Sequence, residues 1–103
     1  MELGFETKGL RRTCEKDAWA RRELGDAAAL ALQRRLADLE AAETITDLPW
    51  NMEFGVNDEG ALEFHPEHWL TFQAIRGAAD VDTTQEIDWA AVDRIKLTGI
   101  RKP

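Results

Sequence analysis

Met52-Glu53-Phe54-Gly55-Val56-Asn57-Asp58-Glu59-Gly60-Ala61-Leu62-Glu63-Phe64 decides the fold. Apolar and polar residues alternate over 52–56, Asn57-Asp58-Glu59-Gly60 has the composition of a turn, and 61–64 answers the first run. The spacing predicts a β-hairpin. Downstream, His65-Pro66-Glu67-His68 makes a second turn, since Pro66 cannot donate to a ladder, and 69–75 is a third strand. A polar loop of about ten residues, 77–86, follows. Residues 87–91 read as one helical turn capped by Asp88, and 92–100 as the last strand.

Upstream of Pro49 the apolar period is 3.6, not 2. Residues 27–43 form a helix with Ala29, Leu32, Leu36 and Leu39 on one face and Arg34, Arg35 and Asp38 largely off it. Residues 10–24 form another, marked by Leu10, Cys14, Ala18 and either Trp19 or Leu24. Gly25 is read as the C-cap of the first helix and Asp26 as the N-cap of the second. Leu3-Gly4-Phe5-Glu6-Thr7 alternates and suits an opening strand. The order predicts an α+β fold in which two N-terminal helices pack on one face of a small, mainly antiparallel sheet, β-α-α-β-β-β-β. A length of 103 residues gives room for one domain, 1–103.

Thirteen basic and twenty acidic side chains give a formal charge of −7. Such a molecule repels nucleic acid and anionic membrane as a whole, which excludes a general nucleic-acid coating protein. Residues 1–50 hold eight Lys/Arg and ten Asp/Glu, whereas 51–103 hold five and ten, so the excess acid falls on the hairpin half. No apolar run approaches the ~20 residues of a membrane span. Cys14 stands alone, which excludes an internal disulfide and a cysteine-based zinc site, and the acidic start lacks the marks of a signal peptide. The expected address is the cytoplasm, with no cofactor and no metal.

His65 and His68 lie three apart beside Glu63 and Glu67; they read as a solvated turn, or else as a metal pair or a general acid and base, with His68 the candidate of the two. Arg76, Arg101 and Lys102 are cations near strand ends and candidates for phosphate contact. Lys8, Arg11, Arg12 and Lys16 line one face of the first helix and, extended by Arg34 and Arg35, make a candidate nucleic-acid surface. Interleaved carboxylates equally make that face an ordinary salt-bridged one. Four Trp invite a base-stacking reading, but no basic residues flank Trp50, Trp69 or Trp89 in sequence, so these are expected in the core.

The segments Phe5-x-x-Lys8-Gly9-Leu10-Arg11-Arg12, Arg21-Arg22-x-Leu24-Gly25, Arg35-Leu36-Ala37-Asp38-Leu39-Glu40-Ala41-Ala42-Glu43-Thr44 and Asp47-Leu48-Pro49 occur in an order that resembles the RelE/ParE toxin superfamily, nearest its HigB-like "plasmid maintenance killer" branch. Trp69-Leu70-Thr71-Phe72 is similar to that family's Trp-Arg-Ile-Thr-Phe strand, and Ile87-Asp88-Trp89-x-x-Val92-x-x-Ile95 to the segment before its last strand. The resemblance spans nearly the whole chain. It implies a RelE-like fold, a helix-turn-helix antitoxin as partner, and cleavage of messenger RNA on the ribosome by cations that orient the phosphate and stabilise developing charge.

Three positions depart from the family pattern. The strand arginine is replaced by Trp69 or deleted before Leu70. A basic loop becomes 54–60, with Asp58 and Glu59, and an Asp-Tyr-His ending becomes 98–103 in a chain without Tyr. Two functions of different class follow: an mRNA endonuclease toxin, and a protein of the same fold that keeps only a protein-binding or regulatory role. A ParE-like inhibitor of DNA gyrase is a third.

Overall fold

The computed structural model describes residues 1–75 and 87–103. Along the chain run β1 (Glu2–Phe5), α1 (Lys8–Glu15), α2 (Asp17–Leu24), α3 (Asp26–Ala41), β2 (Met52–Phe54), β3 (Glu59–His65), β4 (His68–Ala74) and β5 (Arg94–Arg101). Single 3₁₀ turns occupy Ile45–Asp47 and Trp89–Ala91. The α+β class and the order of helices before the hairpin strands agree with the sequence reading. The expected loop 77–86 and Arg76 lie outside the described residues.

The five strands form one sheet in the order β1-β5-β4-β3-β2. β5 pairs in parallel with β1, Glu2 opposite Arg94 and Phe5 opposite Leu97, and antiparallel with β4. β2, β3 and β4 form the antiparallel meander that the alternation predicted. The β2–β3 turn is centred on Asn57 and Asp58, both at positive φ (60° and 62°), and closes through the Glu59 amide on the Val56 carbonyl at 3.3 Å. Apart from glycine, Asn and Asp tolerate that conformation best, which is why the turn falls on this pair.

Gly60 therefore belongs to β3, not to the turn. It stands opposite Phe72, and a Cβ there would lie 2.5 and 2.6 Å from that ring. The glycine gives the aromatic ring its place on the sheet.

The expected first helix is two. Lys16 adopts extended angles (φ −109°, ψ 109°), ending α1 and starting α2. Asp17 follows in the first turn of α2, where a carboxylate favours the positive end of the helix dipole. The break shifts the apolar phase: Cys14 and Ala20 are buried, whereas Ala18 and Trp19 are exposed. Gly25 does end α2, but at φ 84° and ψ 164°, an extended mirror region open essentially to glycine alone, and it also leads into α3. Asp26 is the first residue of α3 and makes no side-chain cap.

α3 places Ala29, Leu32, Leu36 and Leu39 inward as the period required. The three leucines meet Leu62, Phe64, Leu70, Phe72, Ile95 and Leu97 from one side of the sheet, all buried. The Met1 ammonium donates to the carbonyls of Leu39, Glu40 and Ala42 at 3.3, 2.7 and 2.6 Å, placing a cation at the negative end of α3. Among the described residues no helix is long and apolar enough to cross a membrane.

Candidate functional site

The sheet face away from α3 carries the residues of odd number on β4 and their cross-strand partners, because side chains alternate along a strand. Glu53, Glu63, Trp69, Thr71, Gln73, Lys96 and Arg101 stand there, and none is buried. Thr71 faces Gly99 and Phe72 faces Leu97, so Thr98 is the extra residue of a bulge. The bulge turns Thr98 towards Thr71, and their hydroxyls meet at 2.8 Å, with the Thr71 hydroxyl also 3.1 Å from the Gly99 carbonyl.

Beside this pair lies a depression of about 410 Å³ lined by Glu53, Phe54, Gly55, Glu59, Gly60, Ala61, Thr71, Phe72, Thr98 and Arg101. Arg101 is its cation. One guanidinium nitrogen is 3.3 Å from the Glu53 carboxylate, and the group lies 5.4 Å from the centre of the Trp69 ring. Glu59 adds a second carboxylate. An approaching phosphate thus meets two carboxylates for each guanidinium, and the guanidinium is already engaged.

The other candidates are dispersed. Lys102 leaves the sheet on the helical side, where its ammonium donates to the Glu23 carbonyl at 2.8 Å and lies 3.8 Å from the Glu23 carboxylate. It neutralises the end of α2 and stands apart from its neighbour Arg101. His68 is not in the depression. Its Nδ1 is 2.7 Å from the Pro66 carbonyl, so that nitrogen carries a proton and donates. Its ring packs edge-on to Phe64 and His65, with centroids 5.8 and 5.2 Å away. Among the described residues no group of three His, Cys, Asp or Glu is placed to hold a metal ion.

Of the candidate basic surface, Arg11 pairs with Glu15 at 3.5 Å and lies over Phe5, while Arg35 pairs with Asp38 at 3.2 Å and lies over Trp50. Arg12 turns instead to Trp19, 5.0 Å away, and Lys8, Lys16 and Arg34 are exposed. Among the described residues no contact joins the α1 cations to Arg34 or Arg35.

Two features escape a reading by sequence neighbours. Trp50 and Trp69 do have cations beside them, Arg35 and Arg101, brought from other elements, and Trp69 stands on the open face and not in the core. Trp19 has two, Arg12 and Arg22, at 5.0 and 5.2 Å. The Trp19–Arg22 spacing of three residues signals a helical pair, but Arg12 lies across the break at Lys16 and only the fold brings it near.

Cys14 is buried as expected. Removal from water, and secondarily the charge of Glu15, raises its thiol from 9.0 to about 11, so it is not a nucleophile near neutral pH. No protein-family model, no curated protein and no solved structure matches the chain.

Proposed function

We infer that this protein is the HigB-like component of a type II toxin–antitoxin system and acts by holding a protein partner, not by cutting messenger RNA. The motif order over 5–49 and 69–95 supports the first half. The second half is carried by one observation: Arg101, the cation of the open-face depression, is held by Glu53 at 3.3 Å, and Glu59 leaves the lining with a net negative charge. Phosphoryl chemistry on RNA requires the opposite balance, with cations free to meet the charge that builds up in the transition state.

Messenger-RNA cleavage is the second reading, favoured by the placement of Arg101 beside the Thr71 and Thr98 hydroxyls. Induction of this chain alone, and together with any helix-turn-helix protein that an adjacent reading frame encodes, separates the two. The expected result is intact messages, by mapping of RNA ends, and a stable complex between the two proteins. Cut messages, with cutting lost in Arg101→Ala, replace this reading by the nuclease. DNA damage with intact messages replaces it by the gyrase inhibitor, and absence of any complex refutes it.

A further inference from the structure

We propose that Arg12, Trp19 and Arg22 form the docking point for an acidic segment of a partner protein. The proposal rests on the reading that this protein works by holding a protein partner, and it names the surface and the chemistry.

The carboxylates of α1 and α2 are all taken. Glu15 is held by Arg11 at 3.5 Å, Asp17 by Arg21 at 2.9 Å and by the Gln33 amide at 2.7 Å, and Glu23 by Lys102 at 3.8 Å. Arg12 and Arg22 are left without a carboxylate among the described residues. Both lie over the Trp19 ring, at 5.0 and 5.2 Å, and that residue is 38% exposed. The ring holds the two guanidiniums in place by attraction to its π face, while their N–H donors find no acceptor among the described residues. A shallow recess of about 230 Å³, lined by Ala18, Trp19 and Arg22, opens at this point.

The wider charge agrees. Residues 8–24 carry six cations and three carboxylates, a net +3 in a molecule of −7, which leaves −10 on the remainder. A guanidinium fork accepts either a carboxylate or a phosphate. Two observations favour carboxylates on a short protein segment over RNA. The positive patch is small and bounded by negative charge, so a polyanion running past it is repelled. The Trp19 ring already carries two guanidiniums, which compete with the base stacking that single-stranded RNA uses.

Fluorescence anisotropy of a labelled hexaglutamate peptide against the full chain tests the proposal, with labelled hexauridylate as the nucleic-acid probe. Hexaglutamate is expected to bind more tightly than hexauridylate. The double variant Arg12→Ala/Arg22→Ala should lose ~10-fold in peptide affinity, about 1.4 kcal/mol. Arg21→Ala, which removes a guanidinium already paired, should change it less than ~2-fold. All these positions are exposed, and an unchanged thermal midpoint establishes that each variant is folded. Failure of the peptide to bind, equal binding by the double variant, or tighter binding of hexauridylate overturns the proposal. Pull-down of the adjacent-frame protein separates this failure from that of the functional reading: a partner held equally by wild type and double variant refutes the docking point alone.

Discussion

At the scale of single residues, Gly60 and Cys14 carry the sharpest consequences. Gly60 lies beneath Phe72, and an added methyl would meet the ring at 2.5 Å and the Glu53 carbonyl at 3.2 Å. Phe72 is 1% exposed and contacts Trp89 edge-on at 6.0 Å, so it has little room to yield. Gly60→Ala should cost about 1–3 kcal/mol as an overpacked core does, read as a lower urea midpoint at unchanged m-value. Cys14 gives a pH signature. Burial holds its proton in the folded state up to about 11, against 9.0 in the unfolded chain. Its contribution to stability is complete below 9.0 and is lost as the pH rises towards about 11, because the unfolded state then sheds the proton first. The chain has no Tyr to titrate in the same window. Denaturant midpoints measured across it should fall, and Cys14→Ala should flatten the fall.

Among the elements, the helical layer divides into what the sequence spells out and what it conceals. α3 was legible because Leu32, Leu36 and Leu39 follow the helical period without interruption and the whole face is buried. The break between α1 and α2 was not, because position 16 is a lysine, a good helix former, and no Gly or Pro marks it. Tertiary packing of Cys14 and Ala20 overrides local preference there. Gly25 was read correctly as a stop, yet its backbone is extended at positive φ, and a side chain would find empty space around it. Gly25→Ala should therefore cost about 1–3 kcal/mol through backbone strain alone. Gly25→Asn should recover little of it, since Asn relieves the left-handed helical region and not this one. Thermal midpoints of the two variants measure the difference.

For the whole molecule, the sum of −7 conceals a division: +3 on residues 8–24 and −10 elsewhere. The sequence showed the basic residues but not which carboxylates would claim them. Arg101 meets Glu53 from a strand 48 positions away, and Lys102 reaches Glu23 across 79. Such pairs belong to the topology, so the open-face site was legible only in its composition. The topology also ranks local stability. Among the described residues β5 has a neighbour on each side, whereas β1 and β2 are edges. In hydrogen exchange the amides of Ile95 and Leu97 are expected to be slowest and those of β2 the fastest of the sheet; equal rates across the strands would contradict this ranking.

The interior place of β5, between β1 and β4, has a further consequence during synthesis. Glu2 waits for Arg94 as its partner, so β1 gains its neighbour only after nearly all of the described chain has been made. Until then the leucines of α3 are only partly covered, and the inner edge of β4 offers unpaired amides and carbonyls to any passing strand. Contacts this distant in sequence also slow the closing step itself. The nascent protein is most prone to edge-to-edge aggregation in the interval just before its last strand arrives.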